Sequence, residues 1–390
     1  RIWDFICRDT SVFFLERAKE KAGTENVTTR REIRSTYLEW AKLRSHAKFN
    51  LATSGIDGYP LAELPVKIED LEISAAGSYG YPPLQERVAK KNGVAPECVV
   101  AANGTSMANH LAMAALLEPG DEVLIEQPTY EPLLTVAEYL GARVRRFPRR
   151  FEDGFQIDPR EIERHMTTAT RLVVITNLHN PSGARAPESK LRLAGEIAQS
   201  RGAQVLVDEV YLDACFDPSA RSAFHLGPNF IVTSSLTKAF GLSGLRCGWI
   251  LAAPPLAEQM WRLNDLYGVI PAHVAELLSV IAFDHLAKIA DYARKRLETN
   301  RPVLQHFLNS RKDLLAIRAD AGTTSFPNIV AGRVDAFCQL LREKYDTSVV
   351  PGRFFEMPDH FRIGIGGKQE MLAEGLKRVG QALDEMAAWT

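Results

Sequence analysis

The chain has 390 residues, of which 46% are hydrophobic and 24% charged, so disorder is excluded as its main state. Its 47 Lys and Arg residues balance 48 Asp and Glu residues, and the net charge of −1 gives no electrostatic indication of nucleic acid or an anionic membrane as a partner. The length allows two or three domains.

Residues 1–34 carry aromatic residues among many charges, without the basic region, apolar core and cleavage site of a signal peptide. We expect an N-terminal extension that packs on the body of the protein or on a neighbouring subunit; a poorly ordered tail is the alternative. The longest apolar runs, such as 111–117, are far shorter than a membrane-spanning helix. Five scattered cysteines without a CxxC pair favour a reducing, cytoplasmic location.

Strand-like apolar runs alternate with helix-like stretches through the middle of the chain. The predicted strands are 99–102, 122–125, 143–147, 172–176, 204–207, 230–233 and 248–252. The helix-like stretches include 107–117, 131–140 and 191–201. Short buried strands separated by helices indicate a mostly parallel α/β sheet. The basic run 143–150 is predicted to be a solvated strand and turn.

Both ends of the chain have a different pattern. The predictions there are a helix at 36–48 followed by a Gly/Pro-rich stretch, a long helix at 273–308, short strands at 325–330 and 347–350, and a closing helix at 369–386. The predicted organisation is an N-terminal extension at 1–34, the first part of a small domain at 35–70, a large domain at 71–268 and the C-terminal part of the small domain at 269–390.

Polar clusters follow four of the predicted strands. They are 103–106, 177–183, 208–211 and 234–238. Ligands of open α/β sheets bind beyond the carboxyl ends of the strands. Together these clusters predict a site with a phosphate cradle, amide donors, a carboxylate and a lysine.

Taken singly, each cluster allows a plainer interpretation. Asp208 can be a turn residue, and Lys238 can be a surface lysine. The run 205–209 is similar to a Walker B strand, but no GxxxxGK[ST] loop accompanies it. The glycines of 241–248 do not fit a dinucleotide-binding fingerprint. No set of His, Cys and Asp residues has the spacing of metal ligands, so no metal site is predicted.

The combination of motifs resembles a known family. Residues 235–249, with the sequence SLTKAFGLSGLRCGW, resemble the lysine signature of the class I/II aminotransferases, which are fold-type I pyridoxal-phosphate enzymes. Asn180–Gly183 is similar to their NPTG-type motif and Asp208–Tyr211 to their D-x-x-Y motif. The resemblance runs from about Tyr37 to the C-terminus. It implies an α/β fold with a large domain, built on a mostly parallel sheet flanked by helices, and a smaller α+β domain.

The resemblance also implies a role for each polar residue at the cofactor, pyridoxal 5′-phosphate. Lys238 would form the Schiff base with the cofactor and then move the substrate proton. Asp208 would keep the pyridine nitrogen protonated, so that the ring accepts electrons. Tyr211 and Asn180 would donate hydrogen bonds to the ring oxygen. Tyr130 would stack over the ring, with core packing as the alternative.

The phosphate group of the cofactor is expected at a helix start, where free backbone amides favour an anion. The residues implied there are Gly104, Thr105, Ser106, Ser235 and Arg246. Tyr79 would reach the phosphate of the partner subunit's cofactor, as in a homodimer with shared active sites. The spacing departs from the common pattern by about one residue, so Tyr81 is the alternative.

For the substrate, Arg362 in Phe361–Gly364 matches the arginine that binds the α-carboxylate in this family. Asn180 and Gly55 are further candidates at the substrate. The expected activity is amino transfer between an amino acid and a 2-oxo acid. A β-eliminating lyase or a cyclase of the capreomycidine-synthase type would keep the same residues. A pyridoxal-phosphate-binding regulator would need a DNA-binding domain, for which residues 1–34 are too short.

Overall fold

The computed structural model describes residues 33–74, 78–330 and 332–388. The described residues from Ser35 onward form one compact unit. The predicted N-terminal extension therefore lies almost entirely outside the described residues. Within the described part, no helix is long and apolar enough to cross a membrane.

The described residues form strands and α-helices that alternate through the middle of the chain. The strands are β1 (Phe49–Asn50), β2 (Val99–Asn103), β3 (Glu122–Gln127), β4 (Arg143–Pro148), β5 (Thr170–Thr176), β6 (Gln204–Asp208), β7 (Phe230–Ser235), β8 (Cys247–Leu251), β9 (Leu314–Leu315), β10 (Thr324–Ser325), β11 (Asn328–Ile329), β12 (Thr347–Ser348), β13 (Val350–Pro351) and β14 (Phe361–Gly364). The helices are α1 (Thr36–Leu43), α2 (Pro82–Asn92), α3 (Gly104–Leu116), α4 (Glu131–Tyr139), α5 (Pro159–His165), α6 (Glu188–Ser200), α7 (Pro254–Asn264), α8 (His273–Asp284), α9 (Leu286–Asn309), α10 (Val334–Tyr345) and α11 (Gln369–Ala387).

A mostly parallel sheet lies at the centre of the described residues, with the strand order β2-β8-β7-β6-β5-β3-β4. Strand β8 runs antiparallel to its neighbours β2 and β7, and the other adjacent pairs are parallel. The seven strands predicted from the sequence overlap these seven strands, so the predicted fold class is confirmed. The carboxyl ends of β2, β5, β6 and β7 therefore meet at one edge of the sheet.

Helices cover both faces of the sheet, and successive side chains of a strand enter different cores. On β6, Val205 and Val207 belong to one apolar cluster and Leu206 to the other. All three side chains are fully buried. Burial on both faces explains why these strands appear in the sequence as continuous apolar runs.

Segments from both ends of the chain pack together outside the sheet. Strand β1 pairs in parallel with β12, so residues separated by almost three hundred positions become neighbours. Strand β14 pairs with β10 and β13 in a small antiparallel sheet. The proposed division of residues 35–390 into a large and a small domain stays a prediction.

Three predictions about local structure are wrong. The helix from Thr36 ends at Leu43, because the side chains of Ser45 and His46 bond to carbonyls of its last turn. The helix predicted at 273–308 is divided at His285, which separates α8 from α9; the apolar spacing continues across the break and does not reveal it. Arg149, in the basic run predicted to be solvated, is buried.

Candidate active site

The carboxyl edge of the sheet opens into a cavity of about 590 Å³. Residues at or just beyond the carboxyl ends of β2, β3, β5, β6 and β7 line it, together with residues of α1. The predicted site residues in its lining are Thr105, Ser106, Tyr130, Asn180, Asp208, Tyr211, Lys238 and Arg246. The fold thus brings together residues that are more than a hundred positions apart in the sequence.

The amine of Lys238 lies beside two hydroxyl groups. Its Nζ donates a hydrogen bond to Ser54 Oγ over 3.1 Å, and the phenol of Tyr211 donates to the same oxygen over 2.8 Å. Burial lowers the pKa of the Lys238 amine and raises the pKa of the Tyr211 phenol. Both shifts favour the uncharged forms, in which an amine can accept a proton.

The carboxyl group of Asp208 stands at the end of β6 and is 4% exposed. Asn109 Nδ2 donates to its Oδ2 over 2.8 Å, and the backbone amide of Val210 donates to its Oδ1 over 3.0 Å. The amide oxygen of Asn109 accepts in turn from the hydroxyl of Thr233. Burial raises the pKa of Asp208 to about 6, although these hydrogen bonds act in the opposite direction.

Helix α3 begins at the cavity with Gly104, whose φ is +76°. A Cβ at this position would lie 2.3 Å from Nη2 of Arg246, so only glycine lets the guanidinium approach the helix start. Gly248 packs against the Gly104 backbone, where a Cβ would lie 2.5 Å from the carbonyl carbon. The helix start and the arginine form a cradle for an anion.

Hydroxyl groups cluster at the same end of the cavity, where Thr105 and Thr237 belong to its lining. Thr105 Oγ1 donates to Ser235 Oγ over 2.9 Å, and Ser235 Oγ lies 2.7 Å from Thr237 Oγ1. Ser235 is fully buried, whereas Ser106 and Arg246 are exposed at the cavity mouth. The structure therefore brings together the five residues predicted to bind phosphate.

Arg362 lies on β14 and is 1% exposed. Its guanidinium donates to Asn180 Oδ1 over 2.9 Å and to the phenol of Tyr37 over 2.8 Å. It also lies over the aromatic ring of Phe355, 5.0 Å from the centroid. Among the described residues no carboxylate pairs with it, and its Nε has no partner. A buried cation without an anion can bind an anionic group of a ligand.

Tyr37 belongs to α1, which borders the cavity opposite the sheet. The carboxylate of Glu131 holds the start of this helix by accepting from the backbone amides of Thr36 and Tyr37 over 3.0 and 2.8 Å. It also accepts from the hydroxyl of Ser35 over 2.5 Å. Glu131 thus fixes the first turn of α1 and, with it, the position of the Tyr37 phenol that accepts from Arg362.

A buried ion pair supports the loop that carries Asn180. Glu126 and Arg149 pair over 2.7 Å with both side chains fully buried. The other oxygen of Glu126 accepts from the backbone amide and the hydroxyl of Thr176. Thr176 Oγ1 accepts from the backbone amide of Asn180 over 3.0 Å. These contacts connect the ion pair to the residue that binds Arg362.

Of two other predicted site residues, Gly55 lies next to Lys238, whereas Tyr79 lies outside the cavity lining. Gly55 lies against Lys238, because a Cβ there would meet the lysine Cδ at 3.4 Å. Tyr79 is 56% exposed and its phenol donates to Asp265 over 3.0 Å, outside the cavity lining. The proposed contact of Tyr79 or Tyr81 with a partner subunit stays a prediction.

Sequence reasoning missed Ser54, Asn109 and Tyr37. Asn109 is four residues after Thr105, on the same face of α3, so a helical projection from the phosphate motif could have found it. Ser54 directly precedes Gly55, which was a candidate. No local signal connects Tyr37 with Arg362, since their contact spans 325 positions.

The sequence of this chain is similar to a known family model and to known proteins. The family model for aminotransferase class I and II matches residues 71–379. The chain is 30% identical over 361 residues to capreomycidine synthase of Streptomyces vinaceus, covering 88% of this chain and 92% of the relative.

Two solved structures are similar over nearly their full lengths. The structure of a PLP-dependent aminotransferase from Streptococcus suis has a TM-score of 0.85 and 28% identity, covering 92% of this chain and 99% of that chain. The structure of the PLP-dependent cyclase OrfR has a TM-score of 0.82 and 25% identity, covering 93% and 100%.

Proposed function

This chain belongs to the class I and II aminotransferase family, which depends on pyridoxal phosphate, and we propose that it transfers an amino group between an L-amino acid and a 2-oxo acid. The observation that carries the proposal is the cavity that holds the Lys238 amine and the Asp208 carboxyl group, with the guanidinium of Arg362 behind Asn180 and without a carboxylate partner among the described residues. An amine, a carboxylate and an anion site suit chemistry at the Cα of an amino acid.

The residues of the cavity fit the cofactor. Because Gly104 has no side chain, the guanidinium of Arg246 approaches the start of α3, and this end of the cavity offers donors to a phosphate group. Thr105 and Ser235 add hydroxyl groups at that end. We assign Ser106 to the same phosphate site. The amine of Lys238 lies in the same cavity lining as this anion cradle.

Pyridoxal phosphate, when bound, supplies a carbonyl carbon that bonds to nitrogen and a ring that accepts electrons from the substrate Cα. Lys238 would attach the cofactor and, once free, take the proton from Cα. Asp208, ionised above pH 6, would hold a proton on the ring nitrogen. We assign Tyr211 and Asn180 to the ring oxygen and Tyr130 to the ring face.

Arg362 would bind the substrate α-carboxylate. Its guanidinium is buried, faces Asn180 and has no carboxylate partner among the described residues, so an incoming carboxylate would supply the missing charge. Gly55 would leave space beside Lys238 for the substrate.

A second candidate is cyclisation or β-elimination on an amino acid. It is favoured by the 30% identity to capreomycidine synthase and by the similarity to the cyclase OrfR. Such a reaction would also begin with removal of the Cα proton, so the proposed roles of Lys238, Asp208 and Arg362 would be unchanged. The two candidates differ in whether nitrogen remains on the cofactor.

A single-turnover experiment separates the two reactions. The protein is loaded with pyridoxal phosphate and given one amino acid at a time without an oxo acid, and the visible absorption and products are followed. Amino transfer predicts one equivalent of 2-oxo acid and of pyridoxamine phosphate. Repeated release of product with return of the original absorption would identify elimination or cyclisation and contradict the first proposal.

The assignment of Lys238 is tested by reduction with borohydride and digestion. The pyridoxyl mass is expected on the peptide that contains Lys238, and Lys238→Ala should lose both this mass and turnover. Recovery of the pyridoxyl group on another lysine would contradict the assignment.

A further inference from the structure

Ser54 contacts two residues that the proposed function assigns to the cofactor, Lys238 and Tyr211. Its Oγ accepts from Lys238 Nζ over 3.1 Å and from the Tyr211 phenol over 2.8 Å. Ser54 is 4% exposed and lies in the cavity lining. Its hydroxyl thus joins an amine and a phenol that come from different strand ends.

The position of Ser54 is set by the backbone on both sides of it. Thr323 Oγ1 donates to the carbonyl of Ser54 over 2.7 Å. The amide of Ile56 donates to the carbonyl of Lys238 over 2.8 Å, and Gly55 packs against the lysine side chain. Ser54 and Lys238 are therefore held together through their main chains as well as through their side chains.

The hydrogen-bonding capacity of a hydroxyl group defines what Ser54 can do. A serine has two lone pairs and one proton. Lys238 and Tyr211 use the lone pairs, and among the described residues no hydrogen bond donated by the Ser54 hydroxyl is found. An amine that donates one hydrogen to Ser54 has its lone pair directed away from the serine, where it can accept a proton.

We propose that Ser54 is a positioning residue for proton transfer by Lys238. The proposal rests on the proposed function, in which the free amine takes the Cα proton and the electron pair of the broken C–H bond would be delocalised from Cα into the cofactor ring. Ser54 fixes the direction of the amine before this transfer and accepts a hydrogen bond from the ammonium group after it. Through the same oxygen it keeps the Tyr211 phenol beside the lysine.

Charged and titratable groups from several elements surround the Lys238 amine. Arg362 on β14 and Arg246 before β8 disfavour its ammonium form, whereas Asp208 on β6 and Tyr37 on α1 favour it. Ser54 adds an uncharged hydrogen-bond acceptor to the charged side chains that surround the Lys238 amine. Because a hydrogen bond to an ammonium group stabilises it, removal of the hydroxyl should lower the pKa of the amine by about one unit.

The first test uses the protein without added cofactor. The pKa of the Lys238 amine is measured from the pH dependence of its reductive methylation with ¹³C-formaldehyde, read by mass spectrometry of the Lys238 peptide. Ser54→Ala should lower this pKa by about one unit, and Ser54→Thr, which keeps the hydroxyl, should restore it. Ser279→Ala is the matched control, because this buried serine donates to Ala275 within α8.

The second test uses the loaded enzyme and the exchange of the substrate Cα hydrogen in D₂O. Ser54→Ala should slow the exchange by about tenfold or more with a change in KM below about twofold, and Ser54→Thr should restore it. If Ser54→Ala does not fold, Ser54→Cys keeps the volume and weakens the acceptor.

An unchanged lysine pKa together with an unchanged exchange rate in Ser54→Ala would overturn the proposal. If the protein does not catalyse amino transfer, the experiment gives a result that can be told apart from failure of the Ser54 proposal. Exchange that depends on Ser54, without formation of pyridoxamine phosphate, would support the role of Ser54 and contradict amino transfer.

Discussion

At the scale of single residues, Asp208 combines two opposing effects on one carboxyl group. Burial disfavours its charge, whereas the amides of Asn109 and Val210 stabilise it, and the resulting pKa is about 6. At neutral pH the group is therefore mostly ionised. A carboxylate in this state can hold a proton on an adjacent ring nitrogen.

Replacing Asp208 by Asn tests this role without changing the shape of the side chain. Turnover should fall by at least about a hundredfold, because the amide cannot stabilise the protonated ring. The urea midpoint should stay close to that of the wild type. The exposed Asp153→Asn variant is the control, and turnover of Asp208→Asn equal to that of this control would refute the role.

Glu209 gives a pH-dependent prediction for stability. It is 3% exposed, and burial raises its pKa from 4.5 to about 7. A folded-state pKa above the unfolded value means that this group's contribution to stability is present below pH 4.5 and lost as the pH rises through 7. The shift corresponds to roughly 3 kcal/mol.

Glu209→Gln should remove this dependence while keeping an oxygen to accept from the amide of Ala223. The free energy of unfolding in urea is compared at pH 5 and pH 8. The variant should gain stability relative to the wild type by roughly 3 kcal/mol between these pH values. If the difference in free energy of unfolding between variant and wild type is the same at pH 5 and pH 8, Glu209 does not take up a proton on folding.

The positions of some candidate site residues were predictable, because these residues end a strand or closely follow one. Asp208 is the last residue of β6 and Lys238 lies three residues after the end of β7, so the sheet edge could be inferred from the chain order alone. The contacts that these two residues make were less predictable. Helical spacing from Thr105 could have indicated Asn109 as a site residue, but no local pattern indicates that Ser54 reaches Lys238 across 184 positions.

At the scale of elements, the buried pair of Glu126 and Arg149 lies behind the loop that carries Asn180. Its sequence context indicated a solvated turn, since Arg149 lies in a run of basic residues. Strand alternation does not separate these arginines, because Arg143, Arg145 and Phe147 lie on the same face of β4. Phe147 and Arg149, just beyond the strand, are buried, whereas Arg143 and Arg145 are exposed. Composition alone could not distinguish the buried arginine from the solvated ones.

Arg149→Met should destabilise the protein by about 3–5 kcal/mol, because it leaves the Glu126 carboxylate buried without its partner. The free energy of unfolding in urea measures this change. Arg145→Met is the matched control; Arg145 lies 3.8 Å from Glu122 with 43% of its side chain exposed, so its loss should cost less than about 1 kcal/mol. The double variant with Glu126→Gln should recover part of the loss. Equal effects of the two arginine variants would contradict this account.

At the scale of the whole molecule, two segments expose large apolar side chains. In 61–73, Ile68 and Ile73 are 81% and 94% exposed, and in 266–269, Leu266 is 79% exposed. Clustered exposed apolar side chains are typical of protein–protein interaction sites. We propose that these segments form the interface of a homodimer, in which Tyr79 would reach the partner subunit's cofactor.

Light scattering should give twice the chain mass of 43.4 kDa. Leu266→Asp combined with Ile73→Asp should shift the protein toward the monomer, because charges at a buried apolar interface are unfavourable. Leu193→Asp on α6 is the control, since Leu193 is exposed outside both segments. A fully active monomer would contradict the proposal of shared active sites.

The pairing of β1 with β12 has a consequence for the order in which the site forms during synthesis. Ser54 lies four residues after the end of β1, which pairs with Thr347–Ser348. The amide of Gly364 donates to the carbonyl of Leu51 over 2.7 Å. A nascent chain that has left the ribosome as far as residue 300 contains Ser54 and Lys238 but not these later partners. Closing so long a loop is entropically costly and slow. The last part of the chain to be made therefore completes the part of the cavity that was made first.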